Sequence, residues 1–294
     1  MTDERAADSC RPLWGLGTGT WFDVCLRQDE GALPWRMYVS RREERTVMLA
    51  RSADGLHFGD AARILAPPAD PLFHFNRACV LRGGERYLLY VTRQYVPKDL
   101  IGAWAEIACS ESADGLFFPP PVTVLRAELP WEKQAVMCPH VIRDERSGRY
   151  RMWYSGGDVY EPDAIGYAES DDGLHWQRCG DGPVFGPADA GAWDGCKVTA
   201  CQVVPERNGF RMFYTGFRDV DTAAIGTATS PDGIRGWRRS PAPLISPADT
   251  VWDRSACYKP FAVADRGRWR IYYNGRRDAQ ECICLVSVPI QDHI

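Results

Sequence analysis

The stretch "SADGLHF" at residues 52–58 recurs along the chain. It returns as "SADGLFF" from residue 112, "SDDGLHW" from residue 170 and "SPDGIRGW" from residue 230. The aspartates of these Asp-Gly pairs stand at 54, 114, 172 and 232, so the spacings are 60, 58 and 60 residues. A period of this size predicts a repeat architecture.

Each repeat contains short segments in which apolar and polar residues alternate, as they do in β-strands. Examples are "RYLLYVT" (86–92) and "RYRMWYS" (149–155), and a fifth run of this kind, "RWRIYYNG" (268–275), has no Asp-Gly pair after it. An outer strand such as "VTVLRA" (122–127) is expected in some repeats. The period of two and the aromatic and β-branched content favour strands, and no long segment has helical period.

Five antiparallel repeats of about 60 residues predict an all-β fold, a five-bladed β-propeller, because a radial arrangement leaves only short edges. We expect one domain over residues 1–294, with the blades at about 18–66, 72–127, 132–187, 194–247 and 253–290. The first strand of every blade would line a central channel. A strand from the N-terminal segment would complete the last blade.

Composition excludes several classes of protein. The formal net charge of -4 disfavours binding to nucleic acid or to an anionic membrane. The charged N-terminus and the absence of an apolar run of ~18 residues predict a soluble, cytoplasmic protein. The 11 cysteines are scattered through strand-like segments, so we expect free, buried thiols.

The Asp-Gly pair itself is interpreted as a structural turn. Aspartate can accept hydrogen bonds from the following amides, and glycine adopts positive φ without cost. The aromatic residue that follows, Phe58, Phe118 or Trp176, would pack between blades. We expect no metal site and no cofactor: a structural calcium ion in the channel is compatible with a propeller, but no cluster of ligands identifies one.

A second recurring pair joins tryptophan to an acid, as in Trp131-Glu132, Trp193-Asp194 and Trp252-Asp253. Because the pair recurs, contacts at the start of a strand explain it better than catalysis. Glu132 nevertheless remains a candidate acid at the entrance of the pocket.

Residues that differ from repeat to repeat on the channel strands are free to carry function. We align these strands on Cys25, Val80, Val141, Val203 and Ala262. The differing positions are then Trp21, Asp23, His74, Asn76, Arg77, His140, Lys197, Thr199, Tyr258 and Lys259. Such polar and aromatic groups in one channel predict a site for a small, polar molecule, and the cations among them would also accommodate an anionic one. Each also has a structural alternative, such as a cap, a core histidine or an ion pair.

The repeat "RMWYSGG…IGYAESDDGLHW" and the strand "FDVCLR" resemble the five-bladed propeller glycosidases, which include arabinanases, β-xylosidases and invertases. The resemblance implies that Asp23 is the general base or nucleophile. It also implies an aspartate where this chain has His140 and a glutamic acid where it has Thr199. The missing acid could come from Glu132, or Asp23 and His140 could form an acid–base pair.

A related branch, the intracellular glycoside phosphorylases, uses a single catalytic aspartate and holds phosphate with cations. Arg77, Lys197 and Lys259 would suit such an anion.

Three functions therefore compete. The first is hydrolysis or phosphorolysis of a glycoside or sugar-like molecule with Asp23 as the key carboxylate. The second is a repurposed propeller enzyme that catalyses a cyclisation, elimination or isomerisation of a metabolite. The third is a non-catalytic, ligand-binding propeller.

Overall fold

The computed structural model describes residues 10–160 and 162–290, and within these ranges the regular structure is almost entirely β-strand. The helical elements in this part of the chain are two short 3-10 helices, Pro130–Glu132 and Pro247–Asp249. No helix among the described residues is long and apolar enough to cross a membrane.

The strands form antiparallel units of four. Strand β1 (Arg11–Trp14) belongs to the last of them. Unit 1 contains β2 (Trp21–Gln28), β3 (Trp35–Arg41), β4 (Thr46–Ser52) and β5 (Ala62–Arg63). Unit 2 contains β6 (Phe73–Gly83), β7 (Arg86–Tyr95), β8 (Trp104–Ser112) and β9 (Val122–Leu125).

Unit 3 contains β10 (Ala135–Arg143), β11 (Tyr150–Gly157), β12 (Ala164–Ser170) and β13 (Gln177–Arg178). Unit 4 contains β14 (Lys197–Glu206), β15 (Gly209–Phe217), β16 (Ala223–Ser230) and β17 (Arg238–Arg239). Unit 5 contains β18 (Ala256–Asp265), β19 (Arg268–Arg277) and β20 (Gln280–Pro289), together with β1. Units 2 and 3 share one eight-stranded sheet, joined between β8 and β10 by the single parallel pair Ala105 and Ala135.

The predicted strands are confirmed. The run "RYLLYVT" lies in β7, "RYRMWYS" in β11 and "RWRIYYNG" in β19, and the expected outer strand of the second repeat is β9. The predicted N-terminal strand is also present, because β1 pairs antiparallel with β20. The parts of the predicted domain at residues 1–9, 161 and 291–294 lie outside the described residues.

Apolar cores lie between neighbouring units. One cluster packs Tyr38 of unit 1 against Leu89 of unit 2, and another packs Met37 of unit 1 against Tyr272 of unit 5. Similar clusters join units 2 and 3, units 3 and 4, and units 4 and 5. A central strand is therefore covered on both faces, which explains why β11 is buried along its whole length.

The repeated Asp-Gly turns have one geometry. In the third, Asp172 Oδ1 accepts hydrogen bonds from the amides of Leu174 (2.8 Å) and His175 (2.9 Å), while Ser170 Oγ accepts from the Gly173 amide at 2.9 Å. Gly173 has a φ of 80°, which glycine adopts without strain. The interpretation as a structural turn is confirmed.

These turns also connect neighbouring units. The hydroxyl of Tyr90, on β7, donates to the Gly173 carbonyl at 2.7 Å. Equivalent bonds reach the other turn carbonyls, from Tyr272 to Gly55, from Tyr38 to Gly115 and from Trp153 to Gly233. The aromatic residues after the turns pack in the same clusters, as predicted: Phe58, Phe118 and Trp176.

We expect Gly173→Ala to lower the free energy of unfolding more than Gly180→Ala does. Both glycines have positive φ, so each substitution should cost roughly 1 kcal/mol in backbone strain. A Cβ at residue 173 would also lie 2.8 Å from the Tyr90 hydroxyl, whereas one at residue 180 meets nothing within 4 Å. Loss of that buried hydrogen bond should add about 2 kcal/mol. Urea denaturation measures both variants, and equal losses would contradict this role of the turn.

Candidate functional site

The first strand of every unit contains a β-bulge at the same place. Pairing with the second strand is interrupted between Phe22 and Cys25 in unit 1, and at corresponding places in the other four units. One residue in each bulge has a left-handed backbone: Asp23 (φ 59°), Arg77 (57°), Cys138 (53°), Ala200 (47°) and Lys259 (54°). We call these five the bulge residues. A bulge changes the direction in which its side chain points. The left-handed backbone is strained, and it persists only where neighbouring groups hold it in place.

A hydrogen bond from the preceding unit holds each bulge residue. The Asp23 amide donates to Asn274 Oδ1 at 2.9 Å, so unit 5 holds unit 1. The other amides donate to side-chain hydroxyls at corresponding positions: Arg77 to Ser40 (3.0 Å), Cys138 to Thr92 (3.0 Å), Ala200 to Ser155 (2.9 Å) and Lys259 to Thr215 (2.7 Å). All five acceptor side chains are buried. These bonds fix the backbone of the five bulge residues.

The bulges revise the alignment of the channel strands. The sequence alignment set Cys25 beside Val80, but the first residue after each bulge is Cys25 in unit 1 and Cys79 in unit 2. Asp23 is therefore equivalent to Arg77 and Lys259. The sequence alignment was displaced by one residue in unit 1 because "DVCLR" (23–27) and "ACVLR" (78–82) match best when their Leu-Arg pairs coincide, whereas the bulges set Cys25 beside Cys79.

The three charged bulge residues meet. Lys259 Nζ lies 2.8 Å from Asp23 Oδ1, and Arg77 Nε lies 4.0 Å from Asp23 Oδ2. Lys259 Nζ also lies 5.6 Å from the ring centre of Phe22 and 5.3 Å from that of Tyr258. All three charged side chains are at least nine-tenths buried, so the two cations offset the cost of burying the carboxylate.

Two cavities adjoin this charged group. The small cavity, of about 50 Å³, is lined by Asp23, His140 and Gln202 among others. The large cavity, of about 480 Å³, is lined by His74, Asn76 and Tyr258 among others. Arg77 and Lys259 line both, so these two cations lie where the cavities adjoin.

The large cavity has an excess of positive charge. Four basic side chains line it, against the two carboxylates Asp221 and Glu281: Arg42, Arg77, Lys259 and Arg276. Glu281 is paired with Arg42 at 3.2 Å. His74 also lines the cavity, and burial together with Arg45 and Arg42 lowers its pKa, which favours the neutral imidazole. An anionic group would be attracted here.

His140 is a neutral residue in this structure. Its Nε2 lies 3.0 Å from the Val203 carbonyl oxygen, which can only accept, so Nε2 carries the proton and Nδ1 is an acceptor. Burial lowers the pKa of His140 to about 4. The imidazole therefore remains uncharged near pH 7.

The remaining sequence candidates do not line either cavity in the part of the chain that the structure describes. Trp21 is buried and donates to Thr18 Oγ1 at 3.0 Å. Lys197 Nζ lies 3.6 Å from Asp163 Oδ1. Thr199 Oγ1 donates to Ser155 Oγ at 3.0 Å.

Glu132 also lies apart from Asp23. Its carboxylate accepts hydrogen bonds from Tyr154 Oη (2.6 Å) and Arg178 Nε (2.8 Å), and it is fully buried. Burial alone would raise the pKa of Glu132, but the bonds from Arg178, backbone amides and Tyr154 outweigh it and lower the pKa. Asp194 has the same arrangement in the next unit, with Tyr214 and Arg239 both at 2.7 Å. Glu132 is thus one of a repeated set of contacts.

Several lining residues were missed from the sequence. Arg42 directly follows β3, and Arg276 and Gln94 are the penultimate residues of β19 and β7. The segment "TRQY" at residues 92–95 differs in sequence from the corresponding part of the other second strands. This difference could have identified Gln94 as a candidate site residue. The described residues contain no group of three or more His, Cys, Asp or Glu side chains placed to hold a metal ion.

Comparison with known proteins yields distant relatives. No family model matches the chain. Two uncharacterized proteins of Mycobacterium tuberculosis, Rv1502 of strain ATCC 25618 / H37Rv and MT1551 of strain CDC 1551 / Oshkosh, are each 27% identical to it over 266 residues. The match covers 82% of this chain and 83% of each relative.

Solved structures are similar over nearly the whole chain. A glycoside hydrolase superposes with a TM-score of 0.74 at 16% identity, covering 100% of this chain and 97% of the other. A thermostable family-43 glycoside hydrolase has a TM-score of 0.68 at 14% identity, with 95% and 94% covered. The β-1,2-mannobiose phosphorylase from Listeria innocua has a TM-score of 0.67 at 15% identity, with 92% and 90% covered. The resemblance seen in the sequence is confirmed at the level of the fold: the chain has the β-propeller fold of these glycoside hydrolases.

Proposed function

We propose that the five units are the five blades of a single propeller domain, at about residues 18–66, 72–127, 132–187, 194–247 and 253–290. The apolar clusters and the amide bonds of the bulge residues support this proposal. Both connect each unit to the next, and unit 5 to unit 1.

We propose further that the protein is an enzyme that acts on a glycoside or sugar-like molecule, with Asp23 as the reacting carboxylate. The observation that carries this proposal is the position of Asp23, buried in a bulge beside two cations and facing a cavity. A carboxylate held in this way can attack an anomeric carbon or remove a proton from an attacking oxygen. The solved glycoside hydrolases of the same fold support it.

Phosphorolysis fits the charges better than hydrolysis does. In phosphorolysis the glycosidic C–O bond breaks and an oxygen of hydrogen phosphate bonds to the anomeric carbon, while the proton that the phosphate loses passes through Asp23 to the departing oxygen. Arg77, Lys259 and Arg276 would hold the phosphate, since guanidinium and ammonium groups pair with its oxygens. Hydrolysis normally needs a second carboxyl group beside the first. Among the described residues Asp23 is the only carboxylate that lines the small cavity, and the two that line the large cavity are Glu281, which is paired with Arg42, and the exposed Asp221. The phosphorylase from Listeria innocua, which has the same fold, supports this choice.

A second candidate is a non-hydrolytic reaction, such as an elimination, isomerisation or cyclisation of an anionic metabolite. One observation favours it: a neutral His140 and a hydrogen-bonded Thr199 stand where the resemblance implies two further acids. Proton removal by Asp23 would still be required.

We expect Asp23→Asn to lower kcat/KM by roughly 10²- to 10⁴-fold, because the amide can neither attack nor accept the proton. The assay is release of nitrophenol from a panel of p-nitrophenyl glycosides, with and without phosphate. Asp181→Asn is the matched control, because Asp181 is an exposed aspartate that lines neither the small nor the large cavity. Circular dichroism verifies that both variants fold.

The outcomes separate the candidates. Turnover that needs both Asp23 and phosphate supports phosphorolysis, and turnover that needs only Asp23 supports hydrolysis. Absence of turnover on every glycoside, combined with a melting temperature raised by an anionic sugar, favours the second candidate. Full activity of a folded Asp23→Asn variant would refute the role of this carboxylate.

His140 generates a prediction about pH. Its pKa is about 4 in the folded protein and about 6.5 when exposed, so between these values only the unfolded chain binds the proton. The free energy of unfolding should therefore fall as the pH drops from 6.5 to 4, and this slope should be shallower in His140→Gln. Denaturation at a series of pH values measures the slope. NMR titration of the His140 ring provides the check, and a midpoint near 6.5 would contradict the burial argument.

A further inference from the structure

A pair of buried amides adjoins the charged bulge residues. Asn76 immediately precedes Arg77 on β6, and Gln94 lies diagonally across from it on β7, where it pairs with His74. Both line the large cavity, and both are more than nine-tenths buried. Neither amide takes part in the contacts between units described above.

The hydrogen bonds of this pair define the orientation of both amides. Gln94 Nε2 donates to the Val159 carbonyl at 2.9 Å, and a carbonyl can only accept, so the amide nitrogen of Gln94 must face Val159. Gln94 Oε1 is then turned to Asn76 and accepts from Asn76 Nδ2 at 3.1 Å. Asn76 must accordingly direct its nitrogen to Gln94 and keep its oxygen for another partner.

That oxygen has no partner within the described residues. Asn76 Oδ1 is a buried acceptor without a hydrogen bond. A buried polar atom left unpaired costs free energy, so it implies a donor that arrives with a ligand or with water. Its position beside Arg77 places the acceptor next to the group that would pair with an anion.

We propose that Asn76 is a specificity-determining residue whose Oδ1 accepts a hydrogen bond from a hydroxyl of the substrate, and that Gln94 is the positioning residue that holds this oxygen toward the cavity. The proposal rests on the proposed function and narrows its substrate class. The substrate is a polyhydroxylated molecule in which a donor hydroxyl lies beside an anionic group, or beside the position where phosphate attacks. A site built to bond a hydroxyl rejects an analogue without it by up to about 10⁴-fold.

The test uses p-nitrophenyl glycosides that the wild-type protein cleaves, together with their monodeoxyfluoro analogues. Fluorine replaces a hydroxyl in size but cannot donate. In the wild type we expect fluorine at one ring position to lower kcat/KM at least 100-fold. Asn76→Leu should lower kcat/KM for the parent by a similar factor and remove the discrimination at that position only.

The role of Gln94 is tested by measuring discrimination between hydroxyl and fluorine, because a loss of stability alone would not change this ratio. In Gln94→Leu, the Asn76 amide can rotate and present its nitrogen, so discrimination between hydroxyl and fluorine should fall at least 10-fold, mainly through KM. Gln94→Glu should keep discrimination, because a carboxyl oxygen can still accept from Asn76 Nδ2 and leave Asn76 Oδ1 directed as before. Thr227→Val is the control for the loss of a hydrogen bond away from the site. The Thr227 hydroxyl lies 2.8 Å from Ser240 Oγ, and Thr227 lines neither cavity. This substitution should leave discrimination unchanged.

Failure of the inference differs from failure of the proposed function. If Asp23→Asn abolishes turnover while folded Asn76→Leu keeps wild-type discrimination at every ring position, the inference is overturned and the function stands. If the wild type cleaves no glycoside, the same comparison is made by thermal shift with free monosaccharides and their deoxyfluoro forms. A shift that depends on one hydroxyl and on Asn76 then supports the subsite, and no shift with any sugar overturns it.

Discussion

The fold depends on one hydrogen bond that is repeated in every unit, in which a backbone amide donates to a buried side-chain oxygen of the preceding unit. The amide belongs to a bulge residue in the left-handed region, where a residue other than glycine is strained. Asn274, Ser40, Thr92, Ser155 and Thr215 supply the oxygens. Since the backbone makes this contact, the side chain of the bulge residue is not needed for it. The position can therefore hold aspartate, arginine, cysteine, alanine or lysine without losing the bond.

Because the backbone of a bulge residue makes the contact between units, its side chain is free to carry charge, and this explains where the charged residues lie. The strained backbone directs the side chains of Asp23, Arg77 and Lys259 toward one another. The two cations then balance the buried carboxylate of Asp23. A site built on strands is held more precisely than one built on loops. By contrast, Glu132 and Asp194 occupy repeated positions in which tyrosine and arginine satisfy them, which is the pattern of a structural contact.

The strands and turns could be predicted from the sequence because their signals are local. Alternation identified β7, β11 and β19, and the Asp-Gly period identified the repeat. The site was predicted less completely. The apolar runs "DVCLR" and "ACVLR" match in a register that is one residue away from the one set by the bulges, so the equivalence of Asp23 with Arg77 and Lys259 was hidden. The proposed role of Gln94 depends on a carbonyl at Val159, far along the chain, and no spacing rule connects the two. Lys197 breaks the repeat in sequence but lies beside Asp163 instead of the cavities.

The pairing of β1 with β20 has a consequence for how the chain folds. Unit 5 takes one strand from residues 11–14 and three from residues 256–289, so it cannot be completed until nearly the whole described chain has been synthesised. Until then β20 has an unpaired edge, and the first strand of unit 1 lacks the amide acceptor that Asn274 supplies. Contacts between such distant segments are slow to form because the intervening loop must first be closed. Completion of unit 5 therefore joins the ends of the described chain and brings in the strand whose Asn274 fixes the backbone of Asp23.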